Sequence, residues 1–190
     1  MLGGAELLAA VNGAALTPLT GVLHRYVRNS FIASALSKGT ALDILSGEWA
    51  RKTGGRLNFP NRYRTAYIAL DAVTARGEAE RIVAPFVHVP IVANLQHVLR
   101  VDDPAISRLL EPSPSELRVE WRTANARGIE VHTQRLGNVS YAARRIEAIA
   151  YPSTVNPGGV CVGVFPERLP PGSFLEIQDP DGVIQGRIAG

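Results

Sequence analysis

Five residues of this sequence have side chains suited to binding a charged ligand and acting on it. Arg25 and Arg56 carry guanidinium groups, which can bind phosphate oxygens through two parallel hydrogen bonds. Glu78 carries a carboxylate, which can stabilise positive charge that develops in a transition state. Tyr67 offers an aromatic face, and Ser153 precedes a glycine-rich turn from which its hydroxyl can donate to a ligand. These residue types predict a phosphate-binding site with one acidic group.

Taken singly, each of these residues is more typical of a structural role. An arginine on a strand usually forms a salt bridge or faces solvent, a strand tyrosine usually packs in the core, and a helical glutamate usually lies on the surface. The functional interpretation therefore depends on their combination and order along the chain.

The segments around these residues predict an α+β domain. Strands are expected at 22–27 and 66–70, which are rich in β-branched and aromatic residues, and Asp71 is a suitable N-cap for a helix over 72–83. The other predicted elements are a broken helix and loop over 39–55, strands over 85–93 and 95–101, helices over 104–110, 115–127 and 138–145, and strands near 146–153, 158–165 and 173–179. Strands and helices do not alternate regularly, which favours α+β over α/β.

Common nucleotide and metal motifs are absent from the sequence. It contains no GxxxxGK[ST], GxGxxG or HExxH pattern and no cysteine pair. The four histidines are isolated in sequence, and His88 and His97 lie in apolar runs typical of strands. We expect ordinary hydrogen-bonded histidines and no metal site, because metal sites need clustered donors.

Short motifs connect the five candidate residues. Arg56 lies in GGRLN, Glu78 follows Tyr67 by eleven positions, and Ser153 lies in YPS, which is followed by PGG and VFP. In order and spacing, these motifs resemble the RES domain, a family named for an Arg, a Glu and a Ser. The resemblance covers roughly residues 20–166. The matching positions are Arg25, Gly54-Gly55-Arg56-Leu57-Asn58, Tyr67, Glu78, Tyr151-Pro152-Ser153, Gly158-Gly159 and Phe165-Pro166.

The sequence departs from the family pattern at two places. Leu57 stands where the family usually has tryptophan, a change expected to affect packing more than chemistry. The helix around the candidate acid is polar, with Gly77 and Glu80, where the family is usually apolar. Glu80 is therefore the alternative acid, and the family spacing from Tyr67 selects Glu78.

The resemblance implies a single domain over residues 1–190, with a short N-terminal arm, C-terminal strands and a fold related to ADP-ribosyltransferases. It implies a toxin that cleaves the nicotinamide–ribose bond of NAD, with phosphate or water as the acceptor. Glu78 would stabilise the oxocarbenium-like transition state, and Arg25 and Arg56 would bind the pyrophosphate. Tyr67 would stack on nicotinamide or close the pocket, and Ser153 would bind phosphate or ribose. ADP-ribose transfer to a protein is the alternative reaction.

The resemblance also implies a partner, an antitoxin usually of the Xre helix-turn-helix type that blocks the active site. The oligomeric state stays open, with a homo-oligomer inside that complex as one option. Cys161 is the single cysteine, which favours a reducing compartment, and the apolar N-terminus is too short to span a bilayer. These features predict a cytoplasmic protein.

A second class of function is a non-catalytic module that binds nucleic acid or a protein partner. The net charge is +3, and the 20 basic residues include 18 Arg and 2 Lys. The arginines are scattered among carboxylates, and aromatic residues make up only 6% of the chain. Nucleic-acid sites usually cluster basic and aromatic residues, so direct nucleic-acid binding is not expected.

Overall fold

Two long antiparallel strands, β1 (Thr17–Arg28) and β3 (Phe86–Arg100), organise the fold in this computed structural model, which describes residues 2–80, 85–110, 116 and 119–190. They pair from Thr17 opposite Val98 to Arg28 opposite Phe86. The further strands are β2 (Ala66–Ala69), β4 (Ala148–Pro152), β5 (Val160–Val164), β6 (Phe174–Ile177) and β7 (Arg187–Ala189). Within the described residues, these seven strands form one sheet in the order β1-β2-β5-β4-β3-β6-β7.

Five of these strands close into a ring. β1 pairs with both β2 and β3, so the pairings β1–β2, β2–β5, β5–β4, β4–β3 and β3–β1 return to their starting strand. β3 and β4 are parallel, whereas the other pairs are antiparallel. β6 and β7 extend the sheet from β3. A mixed sheet with flanking helices confirms the predicted α+β class.

The long strand β3 changes partner along its length. Residues 91–94 pair with β6, and residues 98–100 pair with β4. Between these two stretches, the backbone N–H groups of Gln96 and His97 donate to the buried carboxylate of Glu147. Glu147 therefore bonds two backbone N–H groups in the stretch of β3 between its pairings with β6 and β4.

Helices surround the ring of strands. They are α1 (Gly4–Gly13), α2 (Asn29–Lys38), α3 (Leu42–Leu45), α4 (Glu48–Thr53), α5 (Ala72–Ala79), α6 (Pro104–Leu110), α7 (Trp121–Ala126) and α8 (His132–Ala142). The predicted N-cap Asp71 accepts a hydrogen bond from the Thr74 N–H at 2.7 Å, and α6 begins at Pro104 as expected.

Two apolar clusters lie on opposite faces of the central strands. Side chains alternate between the faces of a strand, so Ala148 and Ala150 of β4 belong to one cluster, whereas Ile149 and Tyr151 belong to the other. All five strands of the ring contribute to the first cluster. The second packs against α1, α6 and α8, and it includes the buried Leu57.

The structure corrects several predicted boundaries. The strands expected at 85–93 and 95–101 are one strand, β3, because pairing with β1 continues across the expected break. The helix predicted at 138–145 spans His132–Ala142, and within the predicted 115–127 the described helix is Trp121–Ala126. The helix predicted over 72–83 is observed as Ala72–Ala79; its end at 81–83, like 111–115 and 117–118, lies outside the described residues.

Candidate active site

A cavity of about 880 Å³ opens beside β1 and β2. Four of the five predicted site residues, Arg25, Arg56, Tyr67 and Glu78, line it. Ser153 lies outside the lining and contacts Glu78 instead. The volume lies within the range of about 300–1,000 Å³ that is usual for small-molecule sites.

Glu78 lines this cavity, and the loop between β4 and β5 holds its side chain. The Ser153 hydroxyl donates to Glu78 Oε1 at 2.8 Å, and the Ser153 Oγ accepts from the N–H groups of Val155 and Asn156, each at 3.1 Å. The serine proton is therefore directed at the carboxylate. The sequence predicted instead a contact between Ser153 and phosphate or ribose, which stays a prediction.

Cys161 approaches the same carboxylate oxygen, with its sulfur 3.6 Å from Glu78 Oε1. Burial, and then the nearby Glu78 carboxylate, raise the pKa of the Cys161 thiol to about 12. The thiol is neutral at physiological pH, so it acts here as a weak hydrogen-bond donor. We call the part of the lining formed by Glu78 and Cys161, together with the Ser153 that contacts Glu78, the carboxylate end of the cavity.

The loop that carries Ser153 is anchored to α5, the helix that carries Glu78. Asn156 Nδ2 donates to Thr74 Oγ1 at 2.8 Å, and Thr74 Oγ1 donates to Asp71 Oδ2 at 2.6 Å. The hydrogen bonds from Thr74 lower the pKa of Asp71. Gly159 packs against this network, since an added Cβ would lie 2.1 Å from Thr74 Oγ1.

The alternative acid, Glu80, has a different environment. It is exposed, and its carboxylate pairs with Arg76 at 2.6 Å across one turn of α5. Residues two positions apart on a helix face different directions, and Glu80 is not among the residues that line the described cavity.

Arg56 follows two glycines that bring the backbone close to neighbouring side chains. The Arg56 side chain is buried and donates to Thr154 Oγ1 at 3.2 Å. An added Cβ on Gly55 would lie 2.4 Å from the Tyr67 hydroxyl, and one on Gly54 would lie 2.5 Å from Asn125 Nδ2. We call Gly54–Arg56 the glycine strip.

The Tyr67 hydroxyl fixes the backbone that follows the glycine strip. It donates to Asn58 Oδ1 at 2.7 Å and accepts from the Leu57 N–H at 2.8 Å. Burial raises the pKa of Tyr67, so the hydroxyl stays protonated at neutral pH. Tyr67 therefore has a positioning role in addition to its predicted contact with a ligand.

Arg25 is held differently from Arg56. Its Nη1 donates to the backbone carbonyl of Ile44 in α3 at 2.5 Å. Burial lowers the pKa of Arg25 to about 10, which keeps the guanidinium charged at neutral pH. One of its donors thus stabilises the fold, while the side chain also lines the cavity.

Sequence reasoning missed four large residues that line the cavity. The Arg28 guanidinium lies 5.8 Å from the ring centre of Trp49, and the Arg122 guanidinium lies 4.4 Å from that of Trp121. Both distances fit cation–π contacts. One feature of the sequence could have indicated these residues. Each tryptophan is adjacent to a charged residue, in Glu48-Trp49 and Trp121-Arg122, and such segments are not typical of the apolar core.

Two histidines treated as isolated in the sequence are in contact. His24 Nδ1 lies 3.0 Å from His88 Nε2, and the rings stack with centroids 5.2 Å apart. Partial burial, and then the neighbouring His24, lower the pKa of His88. The pairing of β1 with β3 brings them together.

The structure also bears on metal and membrane sites. Within residues 2–80, 85–110, 116 and 119–190, no group of three or more His, Cys, Asp or Glu side chains is arranged to hold a metal ion. The same part of the chain contains no helix with the length and apolar character needed to cross a membrane.

Comparison with solved structures defines the class of fold. The protein resembles a chain in the crystal structure of the M. tuberculosis MbcT–MbcA toxin–antitoxin complex, with a TM-score of 0.63 and 18% sequence identity. The match covers 92% of this chain and 90% of that chain. A search of curated proteins finds no match.

Comparison with protein families gives a more specific result. The RES domain family matches residues 26–185, and the chain therefore belongs to the RES domain family. This confirms the resemblance inferred from the motifs and extends it beyond residue 166.

Proposed function

We propose that this protein is an enzyme that degrades NAD by breaking the bond between nicotinamide and ribose. The observation that carries the proposal is the joint placement of Glu78, Arg56 and Tyr67 on one cavity of about 880 Å³. Membership of the RES domain family supports it, because the family match over residues 26–185 includes all three of these residues. We further propose that residues 1–190 act as one such domain, related in fold to ADP-ribosyltransferases.

In this proposal, Glu78 acts on the transition state. When the bond between the ribose C1′ and the nicotinamide nitrogen breaks, its electron pair leaves with nicotinamide, and positive charge develops on the ribose ring. A carboxylate beside the ring stabilises this charge more than it stabilises the ground state. The hydrogen bond from Ser153 at 2.8 Å supports the assignment, because it fixes the carboxylate before the reaction.

Arg56 and Arg25 would bind the pyrophosphate, and Tyr67 would contact the nicotinamide. The burial of Arg56 supports this role, because a buried guanidinium forms stronger hydrogen bonds with an anion than an exposed one does. Phosphate would attack C1′ to give ADP-ribose 1″-phosphate, whereas water would give ADP-ribose and a proton. In both cases an oxygen of the acceptor forms a bond to C1′ as the bond between C1′ and the nicotinamide nitrogen breaks.

We also propose that the protein is a cytoplasmic toxin, neutralised by an antitoxin of the Xre helix-turn-helix type. The structural likeness to a chain of a toxin–antitoxin complex supports an antitoxin as the partner, and the Xre type is what the family resemblance implies. Strong expression of the soluble protein alone should deplete cellular NAD and stop growth, and co-expression of the neighbouring antitoxin should restore growth. Normal growth with unchanged NAD would contradict the toxin proposal.

The decisive test is incubation of the purified protein with NAD, with and without inorganic phosphate. We expect nicotinamide release, and the mass of the second product identifies phosphate or water as the acceptor. Transfer of ADP-ribose to a protein target would instead establish the alternative reaction. No release of nicotinamide from NAD by folded protein would overturn the proposed function.

A further inference from the structure

The two tryptophans of this chain have no role in the proposed reaction, yet both line the cavity. Trp49 is 52% exposed, which is unusual for a residue that large. The Phe31 ring contacts it edge-on, with centroids 6.0 Å apart and an interplanar angle of 83°. An exposed aromatic ring at a cavity is suited to stacking against a planar ligand.

A series of contacts places these tryptophans relative to the carboxylate end. Glu78 accepts from Ser153, and the next residue, Thr154, accepts from Arg56 at 3.2 Å. Arg56 thus contacts the β4–β5 loop at the residue directly after Ser153, the residue whose hydroxyl holds Glu78. The glycine strip therefore meets the β4–β5 loop through the Arg56 side chain.

The other end of the glycine strip lies against the helices that carry the tryptophans. Gly54 follows α4 directly, and Trp49 is on α4. Gly54 also packs against Asn125 of α7, the helix that begins at Trp121. We call the part of the lining formed by Trp49 and Trp121 the tryptophan end, and in this series of contacts Arg56 comes between Glu78 and the two tryptophans.

We propose that the tryptophan end binds the adenine base of NAD, with the base stacked on Trp49. The inference rests on the proposed function, and it names the part of the substrate that this end recognises. With the reacting ribose at Glu78 and the pyrophosphate at Arg56, the adenosine half extends along the glycine strip toward α4 and α7. Trp49 is favoured over Trp121 because Arg122 lies closer to the Trp121 ring, at 4.4 Å, than Arg28 lies to the Trp49 ring, at 5.8 Å.

This geometry implies that the enzyme distinguishes a dinucleotide from its nicotinamide half. Nicotinamide mononucleotide reaches the carboxylate end and one phosphate position, but it has no base for Trp49. Arg28 and Arg122 add positive charge beside the proposed adenine site, which favours an adenosine that carries phosphate over a free base. AMP should therefore bind the tryptophan end by itself.

Tryptophan fluorescence tests this binding without any turnover. In the Trp121→Phe protein, Trp49 is the remaining tryptophan of the chain, so its emission reports on one site. We expect saturable quenching by AMP and only linear, non-saturating quenching by nicotinamide mononucleotide, whose pyridinium ring quenches exposed tryptophan by collision. Absence of quenching by AMP, or equal quenching by both nucleotides, would overturn the proposal.

Steady-state kinetics give a second readout. Trp49→Ala should raise KM for NAD about tenfold with little change in kcat, because stacking contributes to binding and not to bond cleavage. Trp49→Phe should restore most of the affinity, and Leu36→Ala, a substitution at a residue of matched exposure (51%) outside the cavity lining, should change nothing. An unchanged KM in Trp49→Ala would refute the stacking role.

The two proposals fail in different ways. Nicotinamide release by the wild-type protein tests the reaction alone, and quenching of Trp49 by AMP tests the adenine site alone. If the protein releases nicotinamide but AMP does not quench Trp49, the proposed reaction stands and the proposed adenine site is excluded.

Discussion

The carboxylate end and the tryptophan end of the cavity are built in different ways. At the carboxylate end, Glu78 receives a hydrogen bond from Ser153, whose oxygen is itself held by two backbone N–H groups. At the tryptophan end, Trp49 is half exposed and contacts its neighbours through ring faces and edges. Stabilising a transition state requires a charge fixed in advance, whereas holding a flat base requires only an available surface. The difference predicts which substitutions change kcat and which change KM.

The largest effect is expected for Glu78→Gln. Gln keeps the shape of the side chain and removes its charge, so turnover should fall about 10²–10³-fold while NAD affinity and thermal stability stay close to wild type. Nicotinamide release and a melting curve measure the two quantities. The matched control is Glu80→Gln directly after the same helix, which should keep full activity because Glu80 is exposed and paired with Arg76. An inactive Glu80→Gln beside an active Glu78→Gln would assign the acid to Glu80.

The next effect concerns Arg56, which lies between the two ends. Arg56→Ala should weaken NAD binding by about 1.5–3 kcal/mol, because it removes charge-assisted hydrogen bonds to the pyrophosphate. Arg56→Lys should restore only part of this, since an ammonium cannot form the paired contacts of a guanidinium. Calorimetric titration with a non-cleaved NAD analogue measures the loss, and wild-type affinity in Arg56→Ala would exclude the phosphate-binding role.

Arg25→Ala should also weaken NAD binding, and it should change a second quantity. Because Arg25 donates to the Ile44 carbonyl, its removal leaves that acceptor without this partner and should also lower the melting temperature. Melting curves of the two variants, recorded without ligand, separate the structural contribution from the binding contribution. Equal binding by Arg25→Ala and wild type would restrict Arg25 to the fold.

A smaller effect is expected for Ser153→Ala, which tests the positioning of Glu78. Loss of its hydrogen bond should lower kcat about tenfold with KM for NAD nearly unchanged, since the group acts through the carboxylate. Ser153→Thr keeps a hydroxyl and should recover much of the activity. A rise in KM at constant kcat would show instead that Ser153 binds substrate, as the sequence had suggested.

The smallest effect concerns Cys161 at the carboxylate end. Its pKa of about 12 leaves the thiol neutral below that pH, and only a thiolate reacts readily with iodoacetamide. At pH 8 the native protein should therefore resist alkylation, whereas the unfolded chain, with a thiol pKa of about 8.5, should react. Mass spectrometry after timed quenching distinguishes the two, and rapid labelling of native protein would contradict the raised pKa.

Sequence patterns predicted the local parts of this molecule better than its long-range contacts. The N-cap at Asp71 and the start of α6 at Pro104 depend on adjacent residues, and both were predicted. The continuity of β3 depends on β1, about seventy residues earlier in the chain, which no local pattern of residues 85–101 reports. Tertiary pairing overrides local preference in such cases.

The same distinction applies to the candidate site. Glu78 and Arg56 were found through short motifs, because a family resemblance preserves order and spacing. Trp49 and Trp121 belong to none of those motifs, and they reach the cavity only because two helices meet the glycine strip. Leu57, at the family's usual tryptophan position, is buried in the second apolar cluster, in keeping with the expected effect on packing.

The ring of strands is joined most weakly beside the site. Within the fully described strands β1 and β2, a single pair, His24 opposite Ala69, links the two, whereas β1 and β3 pair along nearly their whole length. Both residues of that pair line the cavity. Local opening starts where few backbone hydrogen bonds must break, so amide hydrogens near this joint should exchange faster than those between β1 and β3. We therefore expect the ring to have its greatest mechanical compliance at the wall of the cavity, where NAD would enter under the proposed function.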